Sequence, residues 1–280
     1  MKRPLIITSL LVLAAALSLV GCVGTNRSSA ELEQYWNGYD FASTDGLRDI
    51  VVAEKRFEGY AKLLNAVPDS IAAASVKRFI GNAASNEVAL YVYMEWFETY
   101  FYSLNSPYRN DAVFESYLDA LLLNEGLDDY AKLRPTHLKK LLAKNRVGLV
   151  AEDFALRDLE GNDFRLSDLL SRRVLLFFVD SECTSCRETM DQVARSRKIA
   201  SSVRSGELQL LAVAAFGRRE SVQNLATDYD RWRVAFCPSD DLASGDKYDM
   251  SLTPSFLLIG ADGRVEITYD TDISIVEKLL

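Results

Sequence analysis

One stretch constrains this chain more than any other: Val174–Met190, reading VLLFFVDSECTSCRETM. Its first six residues, Val174–Val179, form an unbroken apolar run, the pattern of a buried strand. Cys183 and Cys186 follow it, two residues apart, where a helix is predicted to begin. A dithiol at a strand-to-helix junction can close into a disulfide and open again. A disulfide across so short a loop restricts the unfolded chain little, so a structural staple explains the spacing poorly. A metal site needs two more ligands, and the chain has a single His, His137, and one distant Cys, Cys237, to offer. No metal and no cofactor are therefore expected, and His137 is expected to be an ordinary helix residue.

The first 21 residues read as an export signal. Lys2 and Arg3 precede an apolar run of 16 residues, Leu5–Val20. The run is short of the ~20 residues a spanning helix needs. It ends in Leu19-Val20-Gly21-Cys22, a small-residue cleavage site. A Cys directly after that site resembles the bacterial lipoprotein box, in which Cys22 is lipidated and becomes the new N-terminus; an uncleaved anchor is the alternative. No second stretch of spanning length follows, so the rest is expected to be soluble and to face the periplasm as a lipid-anchored envelope protein. Loss of residues 1–21 leaves 30 basic and 40 acidic residues, a net charge of −10. That balance argues against nucleic acid as a partner and against a polybasic hold on anionic lipid. With Cys22 given to lipid and Cys183 and Cys186 paired, Cys237 is left over. In an exported protein it is a buried thiol, a reactive thiol or an intermolecular partner.

A chain of 280 residues with 49% hydrophobic and 26% charged content suits about two globular domains. Residues 22–30 read as a tether and 31–145 as an all-α bundle. Helices are expected over Leu47–Val67, Ile71–Ala84 with Asp69 as N-cap, Glu87–Ser103 with Asn86 as N-cap, Asp111–Leu123 and Asp128–Lys144. The third of these is aromatic nearly all round, which suits the centre of a bundle. From residue 146 the pattern turns mixed. A hairpin is expected around Glu160-Gly161-Asn162. Strands follow at Val174–Val179, Leu208–Ala215, Arg233–Phe236, Ser255–Ile259 and Arg264–Tyr269. Helices are expected from about Cys183 to Val203, over Glu220–Tyr229 and Leu242–Tyr248, and from Ile273 onward. This order implies a mixed central sheet with helices on both faces, over 146–280.

From Val150 onward the chain resembles the thioredoxin fold, in its exported TlpA/ResA-like branch. The residues that carry the likeness are Ala151-Glu-Asp-Phe154 with Leu156, Gly161, Leu166-Ser167-Asp168-Leu169, Cys183-Thr-Ser-Cys186, Asp241-Leu242 with Tyr248, Thr253-Pro254 with its strand, and Asp262-Gly263-Arg264-Val265. The resemblance implies an α/β thioredoxin-like fold behind the helical domain and a thiol–disulfide oxidoreductase acting on protein disulfides. It implies reduction as the direction, with electrons from a membrane partner. It also implies that Pro254 is cis and that the Thr253 backbone pairs with an extended substrate. Residues 31–145 resemble the helical domain of uncharacterised function that precedes such domains in some lipoproteins, through Tyr35-Trp36, Asn105-Ser106-Pro107-Tyr108-Arg109-Asn110 and Lys144-Asn145-Arg146.

A helix N-terminus favours a thiolate, so Cys183 is the expected nucleophile and Cys186, one turn in, the resolving thiol. Arg187 offers cationic stabilisation and Glu182 opposes it, and the sequence leaves the net sign open. The pattern departs from its relatives where Glu182 stands in place of Trp or Tyr, and where Thr189 replaces an acid, with Glu188 one place earlier. The Pro and Thr/Ser that prepare a peroxidatic cysteine are missing ahead of Cys183. The rival reading is a binding or scaffold lipoprotein whose helical domain recognises a partner and whose dithiol is secondary.

Overall fold

The computed structural model describes residues 27–280 apart from 181, 217–218, 239–241 and 243–244. The signal segment, Cys22 and Asp241 lie outside the described residues. The chain divides into two compact units between Thr136 and His137.

The first unit is helical: α1 (27–34), α2 (Ile50–Leu64), α3 (Asp69–Ala83), α4 (Glu87–Phe101), α5 (Asp111–Leu122) and the start of α6 (Asp129–Leu142). The last four positions of the expected tether, 27–30, are thus already helical. Side chains capture the free N–H groups at several helix starts. Asp49 accepts from Val52 N, Asn86 from Ala89 N, and Asn110 from Ala112 N and Val113 N. Asp49 is why α2 begins at Ile50 and not at Leu47, which closes a separate 3-10 turn, Asp45–Leu47. Asp69, expected as a cap, lies instead in the first turn of α3; Pro68 holds the cap position, extended at ψ 145°. There the Asp69 carboxylate still meets the positive end of the helix dipole.

Helix α4 buries Tyr93, Trp96, Phe97 and Phe101, as expected of a central helix. It is not apolar all round: Val88 and Tyr91 are 66% and 42% exposed, and Glu95 and Thr99 share the outward stripe at helical spacing. Phe79 of α3 is the hub of this unit. The rings of Trp36, Phe41, Phe57, Tyr60, Tyr93 and Phe97 surround it at centroid distances of 4.9–6.1 Å. Most of these contacts are edge-on, the arrangement favoured by ring quadrupoles.

The second unit is built on a seven-stranded mixed sheet of order β2-β1-β5-β4-β3-β6-β7. Its strands are β1 (Ala155–Asp158), β2 (Asp163–Arg165), β3 (Arg173–Asp180), β4 (Leu208–Phe216), β5 (Trp232–Phe236), β6 (Ser255–Ile259) and β7 (Val265–Asp270). Strands β3, β4 and β5 run parallel; the remaining neighbours are antiparallel. β3 is central and buried on both faces from Val174 to Val179, which is why it reads as an unbroken apolar run. Leu175, Phe177 and Val179 face a core shared with α7 (Thr184–Arg195), α8 (Arg197–Ser205), α9 (Arg219–Asp228) and α10 (Ile273–Leu279). On the opposite face Phe178 packs against Phe154 and Tyr248.

Two expected helices differ. The one from Cys183 to Val203 is broken at Ser196, which sits at ψ 116° and caps Ile199 N, so α7 stops and α8 starts afresh. The one over Leu242–Tyr248 is absent: the described residues there form turns and bends. Gly245 lies at φ +67°, a left-handed conformation that a right-handed helix excludes.

Candidate active site

β3 ends at Asp180, and short local bonds turn the chain there. Asp180 Oδ1 accepts from Glu182 N at 2.9 Å, and Asp180 O accepts from Cys183 N at 3.1 Å. Cys183 therefore becomes the N-cap of α7, extended at φ −85° and ψ 121°. Its Sγ accepts from Cys186 N at 3.3 Å and lies 3.0 Å from Ser185 Oγ. Cys183 is partly exposed and Cys186 is fully buried; both are free thiols.

The two sulfurs differ in acidity. Partial burial pushes the Cys183 thiol up. Hydrogen bonds from the Cys186 thiol, the Ser185 hydroxyl and the N–H groups of both residues outweigh it, and the net shift is downward. Burial is the largest cause at Cys186, and its hydrogen bond to Cys183 adds to it; the thiol is pushed up to about 12. The outer sulfur is thus the better thiolate, and the inner one holds its proton at neutral pH. Alkylation of Cys183 by iodoacetamide is expected to reach half-maximal rate at a lower pH than that of an unperturbed cysteine measured alongside. Since only the thiolate reacts, a lowered pKa moves that midpoint to lower pH, and Ser185→Ala should move it back up. A midpoint unmoved by Ser185→Ala would remove the hydroxyl from the account.

Thr253-Pro254 is a cis peptide. The register of β6 on β3 places it: Phe178 pairs with Ser255 in antiparallel sense, so Thr253, two residues ahead of Ser255, lies toward the end of the sheet where β3 finishes at Asp180. The dithiol and the Thr253 backbone therefore share one end of the sheet, although 70 positions separate Cys183 from Thr253.

The other residues singled out from the sequence fall as follows. Arg187 is bonded to Asp228 at 2.9 Å. Thr189 is buried and spends its hydroxyl on Ser185 O at 3.0 Å. Glu188 is exposed on α7. Glu182 accepts from Ser221 Oγ at 3.3 Å. Ser185 was missed by the sequence reading, although a hydroxyl two residues after a helix-capping thiol is a readable signal. Cys237 follows β5, whose Phe236 aligns with Ala214 and through it with Val179. It thus lies at the same end of the sheet, but two strands from β3, about 10 Å at the usual strand spacing. Oxidation of the Cys183/Cys186 pair is expected to leave Cys237 alkylatable, as mass spectrometry of the trapped protein would show; loss of that reactive thiol on oxidation would refute this. Among the described residues no group of three or more His, Cys, Asp or Glu side chains is placed to hold a metal ion.

The AhpC/TSA family model matches residues 147–267, and a domain of unknown function, DUF5106, matches residues 25–145. Thiol-disulfide oxidoreductase ResA of Bacillus cereus is 26% identical over 123 residues, 44% of this chain and 68% of that protein. The crystal structure of a thioredoxin-like protein from Bacteroides caccae aligns over 91% of this chain and 92% of that one, with a TM-score of 0.77 at 21% identity; that likeness speaks to the fold. Sheet, dithiol and relatives define the second unit as thioredoxin-like, of the thiol–disulfide oxidoreductase type. The chain is similar to ResA over that unit and matches the DUF5106 model ahead of it.

Proposed function

We propose that this protein is an exported, lipid-anchored thiol–disulfide oxidoreductase that exchanges disulfides with protein substrates through Cys183 and Cys186. The observation that carries this reading is the pair's asymmetry: an accessible sulfur with lowered pKa at a helix N-terminus, and a buried one pushed up to about 12.

The Cys183 thiolate attacks one sulfur of a substrate disulfide. A Cys183–substrate disulfide forms, and the other substrate sulfur leaves as a thiolate. Cys186 then gives up its proton and attacks Cys183 Sγ. The Cys183–Cys186 disulfide closes and the second substrate thiolate is released. The substrate gains two electrons and the dithiol loses them. Thr253 and Pro254 hold the extended substrate beside Cys183. Likeness to the ResA-type proteins supports reduction as the direction, with a dithiol donor at the membrane restoring the pair.

The lipid anchor rests on Cys22 and the apolar run ahead of it. No described helix is long and apolar enough to cross a membrane; in this reading a lipidated Cys22 tethers the domains to the membrane on its periplasmic side. Labelling with a radioactive fatty acid should mark the protein and not its Cys22→Ala form.

Turnover of a disulfide-bonded peptide, with the Cys183/Cys186 reduction potential, tests the exchange reading. A potential near ~−270 mV fits a reductant and one near ~−120 mV an oxidant. One observation favours the scaffold alternative. The first unit has an apolar cleft of about 500 Å³ between α4 and α6, lined by Tyr91, Met94, Tyr130 and Leu133. Absence of turnover, with Cys183→Ser cells behaving as wild type, would favour that reading.

A further inference from the structure

Asn145 is a polar residue sealed from solvent, 1% exposed. Its backbone lies in the left-handed region at φ +51°, where asparagine is tolerated better than most residues. Its amide joins two segments about a hundred positions apart. Oδ1 accepts from Glu152 N at 2.9 Å, and Nδ2 donates to Lys247 O at 2.9 Å. The same segments are joined twice more. Tyr248 Oη donates to Glu152 O at 2.6 Å, and Lys247 Nζ to Asp153 O at 2.8 Å.

One side of this clip is fixed to the sheet. Gly148 N donates to Val265 O at 2.8 Å, Val265 N to Leu149 O at 2.8 Å, and Ala151 N to Gly263 O at 2.9 Å. The other side leads straight to the end of the sheet that carries the dithiol. Asp249 N donates to Tyr269 Oη at 2.9 Å, Asp249 Oδ1 accepts from Ser251 N at 2.9 Å, and Thr253 N donates to Met250 O at 3.4 Å. Thr253-Pro254 comes next, directly ahead of Ser255, which pairs with Phe178 of β3.

We infer that Asn145 is a positioning residue for substrate: through Lys247 it sets where the 246–253 segment presents the Thr253 backbone. This rests on the reading that Thr253 and Pro254 hold the substrate. Loss of the amide removes its bonds to the backbone of both segments, so the segment, and not the dithiol, bears the cost. The dithiol depends on bonds within α7 and on β3.

The test uses the full-length protein. Asn145→Gly keeps the left-handed backbone and removes both amide bonds. KM for a disulfide-bonded peptide is expected to rise about tenfold, the effect of about one lost hydrogen bond. kcat, the rate of Cys183 alkylation by iodoacetamide and the pH midpoint of that alkylation are expected to stay as in wild type. Asn145→Asp keeps the acceptor for Glu152 N and loses the donor to Lys247 O. It should raise KM as well, and it carries the test if the glycine form does not fold. An unchanged KM in a folded variant, or an alkylation midpoint that moves with KM, overturns the inference. Failure of the wild-type protein to turn over the peptide overturns the exchange reading and this inference with it; an active wild type with unchanged variant KM overturns this inference alone.

Discussion

Cys183→Ser is expected to bring disulfide exchange to the uncatalysed background, a loss of about three orders of magnitude or more. A serine hydroxyl in the same N-cap position keeps the bond from residue 186 N, so the helix start survives and only the nucleophile is lost. Cys186→Ser has a different signature. Cys183 still attacks, but nothing displaces the bound substrate, and a covalent Cys183–substrate adduct accumulates. That adduct is cleaved by dithiothreitol and identifies substrates by mass. Comparable trapping by Cys183→Ser and Cys186→Ser would refute the division of roles.

Phe79→Ala is expected to cost the first unit about 3–5 kcal/mol. Phe79 is 2% exposed, and aromatic rings from α2, α4 and the segment after α1 close around it, so relaxation into the cavity is limited. The loss should appear in denaturant unfolding as a lower midpoint for the fluorescence of Trp36 and Trp96, which lie in this unit. Trp232, in the core of the second unit, should report little change. A shift worth less than about 1 kcal/mol would mean that the surrounding rings collapse into the space.

Much of the fold is legible in the chain because its signals are local. Val174–Val179 reads as a strand buried on both faces because sheet neighbours and packing on each side leave no room for a polar residue. Asn86 reads as an N-cap because its side chain satisfies a donor three residues away. Signals fail where two local rules compete. Ser196 ends α7 because its hydroxyl serves Ile199 N better as a new cap than a continued helix would allow. Residues 242–248 hold a helix-like pattern, but the left-handed Gly245 and the bonds to Lys247 and Tyr248 from distant residues decide the conformation.

The candidate site divides in the same way. The position of Cys183 and Cys186 at a strand-to-helix junction, and the greater exposure of the first, follow from sequence alone, because strand, turn and helix start within a dozen residues. Three features came only with the tertiary structure. Thr253 lies at the end of the sheet where β3 finishes because β6 pairs with β3 in one register. The high pKa of Cys186 arises from burial beneath α7 against the β3 face. Asn145 meets Lys247 because the start of the domain runs beside its last strand. Each depends on groups brought together across long stretches of chain, and spacing along the sequence carries no measure of such approach.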